Sequence, residues 1–187
     1  MIGDAGGPES EESTLSNAAA QEILSAGARA LAHADGLEPS LRILLSSLAD
    51  QLGVESAVIM IVSNQPDRLE IAASIGLADA AIAGLAAAVR EPGHPIARTV
   101  TTPVSSFNGS PTRPGGPALR SHLPLIVTRG GSDIVLGVLA LAHDRPIDPA
   151  MRPLVQASAD LAAVAIERWH TGARATVVTE SNAADAS

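Results

Sequence analysis

The spacing of apolar residues changes abruptly at Gly53, and that change confines the chain to mixed helix-and-sheet architectures. Before it, Leu41, Leu44, Leu45, Leu48 and Leu52 recur at three and four residues, the period of an amphipathic helix. Glu38 and Pro39 suit the first turn of that helix and Gly53 suits its end. After it, Ser56 to Ser63 is a short apolar, partly β-branched run. Asn64-Gln65-Pro66-Asp67 is a turn, and Arg68 to Ser74 returns as a second strand. Helical spacing resumes over Ala78 to Arg90 through Ile82, Leu85, Ala86 and Val89, weakened by Gly84. Pro95 to Val100 reads as a short helix, Val104 to Ser106 as a brief strand, and Phe107 to Pro117 as a loop rich in Gly, Pro and Ser. His122 to Val127 and Ile134 to Ala142 are strands joined by the turn Arg129 to Asp133.

Asp148 as cap and Pro149 in the first turn open a long helix through Trp169, with Pro153 pushing its regular start later. Its apolar face is Met151, Leu154, Val155, Leu161, Ala162, Ala165 and Ile166, with the small Ser158 between them. Strands that follow one another through tight turns pair antiparallel, so the expected class is α+β with a central antiparallel sheet flanked by helices. Outside this core, Met1 to Leu15 reads as an acidic tail and Thr171 to Ser187 as a polar one. Ser16 to Ala34 carries a helical stripe of Ala20, Ile23, Leu24, Ala28, Leu31 and Ala34, ended by Gly36. A helix of that length is marginal alone. It is expected to fold back on the last helix or, as favoured here, to form a bundle with it across a two-fold homodimer. The expected organisation is thus tail 1–15, dimerisation helix 16–36, domain 37–170 and tail 171–187.

Composition removes whole classes of function. There is no Cys, and every Lys-or-Arg position is Arg, so thiolate chemistry, disulfides, Schiff bases and a P-loop lysine are all impossible. Phe107 and Trp169 are the only aromatic residues, so the core is aliphatic. A net charge of -8 with no stacking residues among the arginines argues against nucleic acid as a partner. The acidic N-terminus does not resemble a signal peptide, and the longest apolar run, Ile134 to Ala142, is too short to span a bilayer. A cytoplasmic bacterial protein with no membrane partner is the expectation, its Ala- and Arg-rich, Lys-free composition hinting at a GC-rich genome.

Three segments in order carry a family resemblance: Leu41 to Val62, a helix running through Gly53-Val54 into a strand; Gly93 to Val100; and Leu119 to Val127 followed by Val135 to Leu141, a basic-Ser step into a strand, a turn, and a strand with Gly near its start. Together they resemble a GAF domain over about Leu37 to Trp169. That resemblance implies a sheet of five to six strands, with the first and last helices on one face. On the other face, the middle helices and the 107–117 loop would enclose a pocket for a small ligand. It also implies a sensory or regulatory role and dimerisation through the terminal helices. Members that reduce methionine sulfoxide or attach bilins need cysteines, and the cyclic-nucleotide motif needs a lysine, so those subtypes do not fit. With no output segment after the domain, signalling is expected to act in trans on a separate protein.

The residues expected at such a ligand pocket are His94, Arg98, Ser105, Phe107, Arg120, Ser121 and His122. The start of the Pro95 helix with Arg98 suits an anion, and a solvated surface arginine is the plainer reading. His94 and His122 suit a ligand, a haem or a metal, against a plainer role as helix cap or sheet hydrogen-bond partner. Ser121 and Ser105 or Ser106 suit ligand hydrogen bonds, or local backbone satisfaction instead. Phe107 is either a lid or a packing residue. The five His are scattered without metal-ligand spacing, and neither a nucleophile elbow nor a carboxylate pair is present. No metal site, no cofactor and no enzyme are expected. The readings are a small-molecule sensor, a ligand-free dimerisation or scaffolding module, and, third, a haem-based sensor.

Overall fold

A computed structural model describes Ser25, Arg29 and residues 36–63, 68–110 and 119–184 of the chain, with side chains as far as Thr171. The expected helix 16–34, the turn 64–67 and most of the 107–117 loop lie outside the described residues, apart from the helical Ser25 and Arg29 and the strand that takes up Phe107. In order come α1 (Leu37–Leu52), β1 (Ser56–Val62), β2 (Leu69–Ile75), α2 (Asp79–Ala88), α3 (Pro95–Thr101), β3 (Ser106–Gly109), β4 (Leu119–Arg129), β5 (Ser132–His143), a 3-10 turn Pro149–Met151 and α4 (Arg152–Ala184).

Helix α1 buries Leu41, Leu44, Leu45 and Leu48, four of the five leucines on its predicted stripe. Full burial of each contributes about 2 kcal/mol. It ends where Gly53 takes the left-handed conformation, φ 62°, and Val54 N–H closes back on the Ala49 carbonyl at 3.2 Å. The start of the last helix also follows its sequence signals. Asp148 Oδ1 accepts the Ala150 N–H at 2.8 Å, the 3-10 turn contains Pro149, and α4 begins at Arg152 with Pro153 in its first turn. It then runs past Trp169 to Ala184, through most of the segment read as a polar tail. No proline interrupts that segment, and its alanines and arginine are good helix formers.

The five strands form one sheet in the order β2-β1-β5-β4-β3, antiparallel throughout. The β4–β5 hairpin is longer than its apolar runs. It turns on Gly130 and Gly131, both at positive φ, as a tight two-residue hairpin requires. Gly137 permits close approach of β5 to β1, since a Cβ there would lie 2.1 Å from the Met60 carbonyl oxygen. Strand β3 begins at Ser106, two residues later than the run Val104 to Ser106 suggests. Val104 is exposed, while Asn108 at φ 58° and a bulge in the pairing with β4 carry the strand to Gly109.

Side chains alternate between two cores. On one face Ala57, Ile59, Leu123, Leu125, Leu139 and Leu141 pack against α1 and α4. On the other, Val58, Met60, Val138 and Ala140 pack with Val89 and Ile96 from around α2 and α3. The terminal helices of the domain and the middle helices thus cover opposite faces, as the resemblance implies.

Candidate functional site

The second face is incompletely filled. A cavity of about 320 Å³ lies between the sheet and α2 and α3. Its floor follows from strand register: Ser56, Ala142 and Arg120 stand side by side across β1, β5 and β4, and Val58, Ala140 and His122 form the next row. The central strand contributes only methyl groups there, which leaves depth between the polar β4 side chains and the helix above. That roof is α2, and Ala80, Ala81, Gly84, Leu85 and Ala88 line it. Every residue of α2 except Asp79 and Gly84 is apolar, yet none is fully buried. Gly84 has no backbone need to be glycine. It is not at positive φ, and a Cβ added to it meets nothing within 4 Å. Its absent side chain keeps the space open.

Helix α3 brings in His94. The ring caps the helix, Nδ1 accepting the Ile96 N–H at 3.3 Å, and the same ring lines the cavity. In the neutral ring that bond leaves the proton on Nε2. His122 is 8% exposed, and burial first, then the neighbouring charges of His94 and Arg120, pull its pKa down to about 4. It is therefore a neutral imidazole at pH 7. Burial also pulls the Arg120 guanidinium down from its usual range, against Glu55, whose charge supports it. Glu55 is itself raised by the hydrogen-bonded Asp144 carboxyl beside it, and both acids are exposed residues that do not line the cavity.

Three of the residues expected from sequence, His94, Arg120 and His122, converge on this cavity. The other four do not. Arg98 is exposed and does not line the cavity, and the helix start beside it is already capped by His94, so the anion site expected there is not formed. Ser105 Oγ donates to Gln156 Oε1 at 2.8 Å, on α4. Phe107 packs into the α1–α4 core with the Arg152 guanidinium 5.2 Å from its ring centre, so it is a packing residue and not a lid. Ser121 alternates with His122 and faces the opposite core, fully buried. The period of two along a strand accounts for this last correction: adjacent residues cannot share a face. The family resemblance places the middle helices over this pocket; what sequence reading missed is how the roof leaves room. Gly84 registers in sequence only as a weak point in a helix, and the Ala140 and Ala142 floor only as strand composition.

Ser121 belongs to a chain of hydrogen bonds that resembles catalytic machinery but is sealed. Its Oγ accepts the Asn108 N–H at 3.1 Å and lies 3.0 Å from His143 Nε2, while His143 Nδ1 lies 2.7 Å from the Arg145 carbonyl. A carbonyl only accepts, so Nδ1 carries the proton and Nε2 accepts from the serine. Ser121 and His143 are 0% and 1% exposed, out of reach of any substrate. Asn108 extends the chain, its Oδ1 accepting the Ile147 N–H at 2.8 Å. The network pins the loop after β5 to β3. Among the described residues, no three His, Asp or Glu side chains group as a metal site, and no helix is long and apolar enough to cross a membrane.

The family model for the GAF domain matches residues 37–168. The chain belongs to the GAF domain family. Solved GAF structures share its fold. One from a phosphoenolpyruvate-protein phosphotransferase of Coxiella burnetii superposes with a TM-score of 0.66 at 14% identity, over 83% of this chain and 96% of that one. The second GAF domain of DevS from Mycobacterium smegmatis gives 0.54 at 19% identity, over 72% and 95%. A free methionine-R-sulfoxide reductase of Neisseria meningitidis, solved with its substrate, gives 0.60 at 14% identity, over 92% and 96%. Comparison with curated protein sequences returns no match. GAF domains typically sense and regulate within signalling proteins and are generally not catalytic, the reductase being an enzyme of this fold.

Proposed function

We propose that this GAF domain is a sensor that binds a small molecule between α2, α3 and the sheet and acts in trans on a separate signalling protein. The cavity carries the reading. A space of about 320 Å³ stands at the lower end of the range for small-ligand pockets. It is apolar with a few convergent polar groups, Arg120, His94 and His122, and its roof helix has no fully buried residue. A ligand supplies the packing that α2 lacks. Native mass spectrometry on protein purified without denaturation tests this. Wild type is expected to retain a small-molecule mass that Gly84→Leu, with its side chain in the cavity, does not retain. Bare wild-type protein from every source and growth condition, together with no ligand-induced rise in Tm across a metabolite library, would contradict it.

A second reading, a ligand-free homodimerisation or scaffolding module, is favoured by exposed apolar side chains on α1 and α4. Val164 and Trp169 on α4 and Ile43 on α1 are exposed, Trp169 to 52%, on helices whose other sides form the first core. Large apolar groups in such positions suit contact with a second copy. A dimer built on α1 and α4 leaves the cavity on the opposite face of the sheet free, so ligand retention and not dimerisation separates the two readings.

A further inference from the structure

We propose that the cavity selects a small monocarboxylate, its carboxylate held by Arg120 and its short apolar body lying under α2. This deepens the sensor reading and rests on it. The lining holds one permanent charge, the Arg120 guanidinium, and no carboxylate. Among the described residues no acid lies within ion-pair distance of that guanidinium, and Glu55, which acts on it through space, is outside the lining. A partly desolvated arginine facing a cavity is best satisfied by an anion that accepts from two of its N–H groups, as a carboxylate does.

Arg120 sets the charge of the ligand, and the two imidazoles add hydrogen bonds. His122 is neutral in this setting and His94 Nδ1 accepts from its own helix, so the guanidinium is the one permanent charge on the lining. One cation is matched by one negative charge. A dianion would bring a second charge to a lining that holds no second cation to match it. Apart from Ser56, the other side chains of the wall are alkyl, among them Val58, Ala81, Leu85, Ile96 and Ala140. An α-amino group would find no counter-charge on that wall, so an amino acid is expected to bind less well than the same acid without its amine. The volume suits a branched aliphatic or single-ring acid.

Isothermal titration with 4-methylpentanoate and 3-phenylpropanoate, their primary amides, phenylalanine and 3-phenylpropylamine decides the question. At least one carboxylate is expected to bind ten or more times tighter than its amide and than the amine, with phenylalanine weaker than 3-phenylpropanoate. Arg120→Gln is expected to erase the preference over the amide, and Arg120→Lys to keep a reduced part of it, having the charge without the two-pronged fork. Circular dichroism and Tm of both variants establish that they fold. Gly84→Leu is expected to abolish binding of every probe. Equal or tighter binding of amide or amine, or a preference untouched by Arg120→Gln, overturns the proposal. If such a neutral or cationic probe binds and Gly84→Leu blocks it, the ligand class is wrong while the sensing site stands. If no probe binds, the class falls, and the retained-ligand measurement by mass spectrometry judges the sensor reading separately.

Discussion

His122 links the cavity to pH. Its pKa is near 4 in the folded chain and near 6.5 when unfolded, so between those values the unfolded state binds more protons and stability falls as pH falls. From pH 7.5 to pH 5 the loss from this one group is about 2 kcal/mol. The buried His143 is shifted in the same direction and adds to it. Denaturant titrations across that range are expected to show the decline, and His122→Gln to flatten it in part; a variant with the wild-type slope would mean His122 is not desolvated. Across the sheet, Ser121→Ala strips His143 Nε2 of its donor and the Asn108 N–H of its acceptor while both stay buried. A cost of about 2 kcal/mol in chemical denaturation is expected, because unsatisfied buried polar groups carry their desolvation penalty. The contrast between Ser121 and His122 also shows what residues alone reveal. Both are polar, adjacent and at a strand start, and only the pairing register of β4 with β5 decides which one meets the cavity.

At the scale of elements, the roof helix α2 departs most from the rule that apolar helices are buried. Gly84→Ala is expected to raise stability by about 0.5–1 kcal/mol through helix propensity alone and to leave ligand binding intact. Gly84→Leu is expected to add cavity filling to that gain and to block binding. Melting curves of the two variants separate propensity from space; equal gains would mean the Leu side chain does not enter the cavity. Gly137→Val, by contrast, drives a Cβ to the Met60 carbonyl oxygen and is expected to cost about 3 kcal/mol by splaying β5 from β1. Helices α1 and α4 were legible because leucine spacing, the Gly53 stop and the Asp148 cap all agree. The sequence points to an earlier β3 and to a loop at Phe107 because β3 is held by a bulge and the Asn108 side chain, which leave no alternation to read. The place of the cavity under the middle helices follows from the family resemblance, but its lining was illegible for a related reason. It is made by what Ala140, Ala142 and Gly84 lack, and missing side chains have no periodicity.

The whole molecule is a five-stranded sheet with two differently packed faces. The α1–α4 face is a dense leucine and alanine core and supplies the rigidity. The α2–α3 face is loosely packed and holds the cavity. The outer surface of the rigid layer exposes Trp169, and sedimentation at micromolar concentration is expected to show a dimer that Trp169→Glu dissociates. The asymmetry between faces is the central claim, and hydrogen–deuterium exchange of the ligand-free protein reads it most directly. Amides of 79–89 are expected to exchange far faster than those of 40–50, and to slow markedly in Gly84→Leu as the cavity fills. Protection of α2 equal to that of α1, unchanged by the leucine, would mean that no open space lies beneath it.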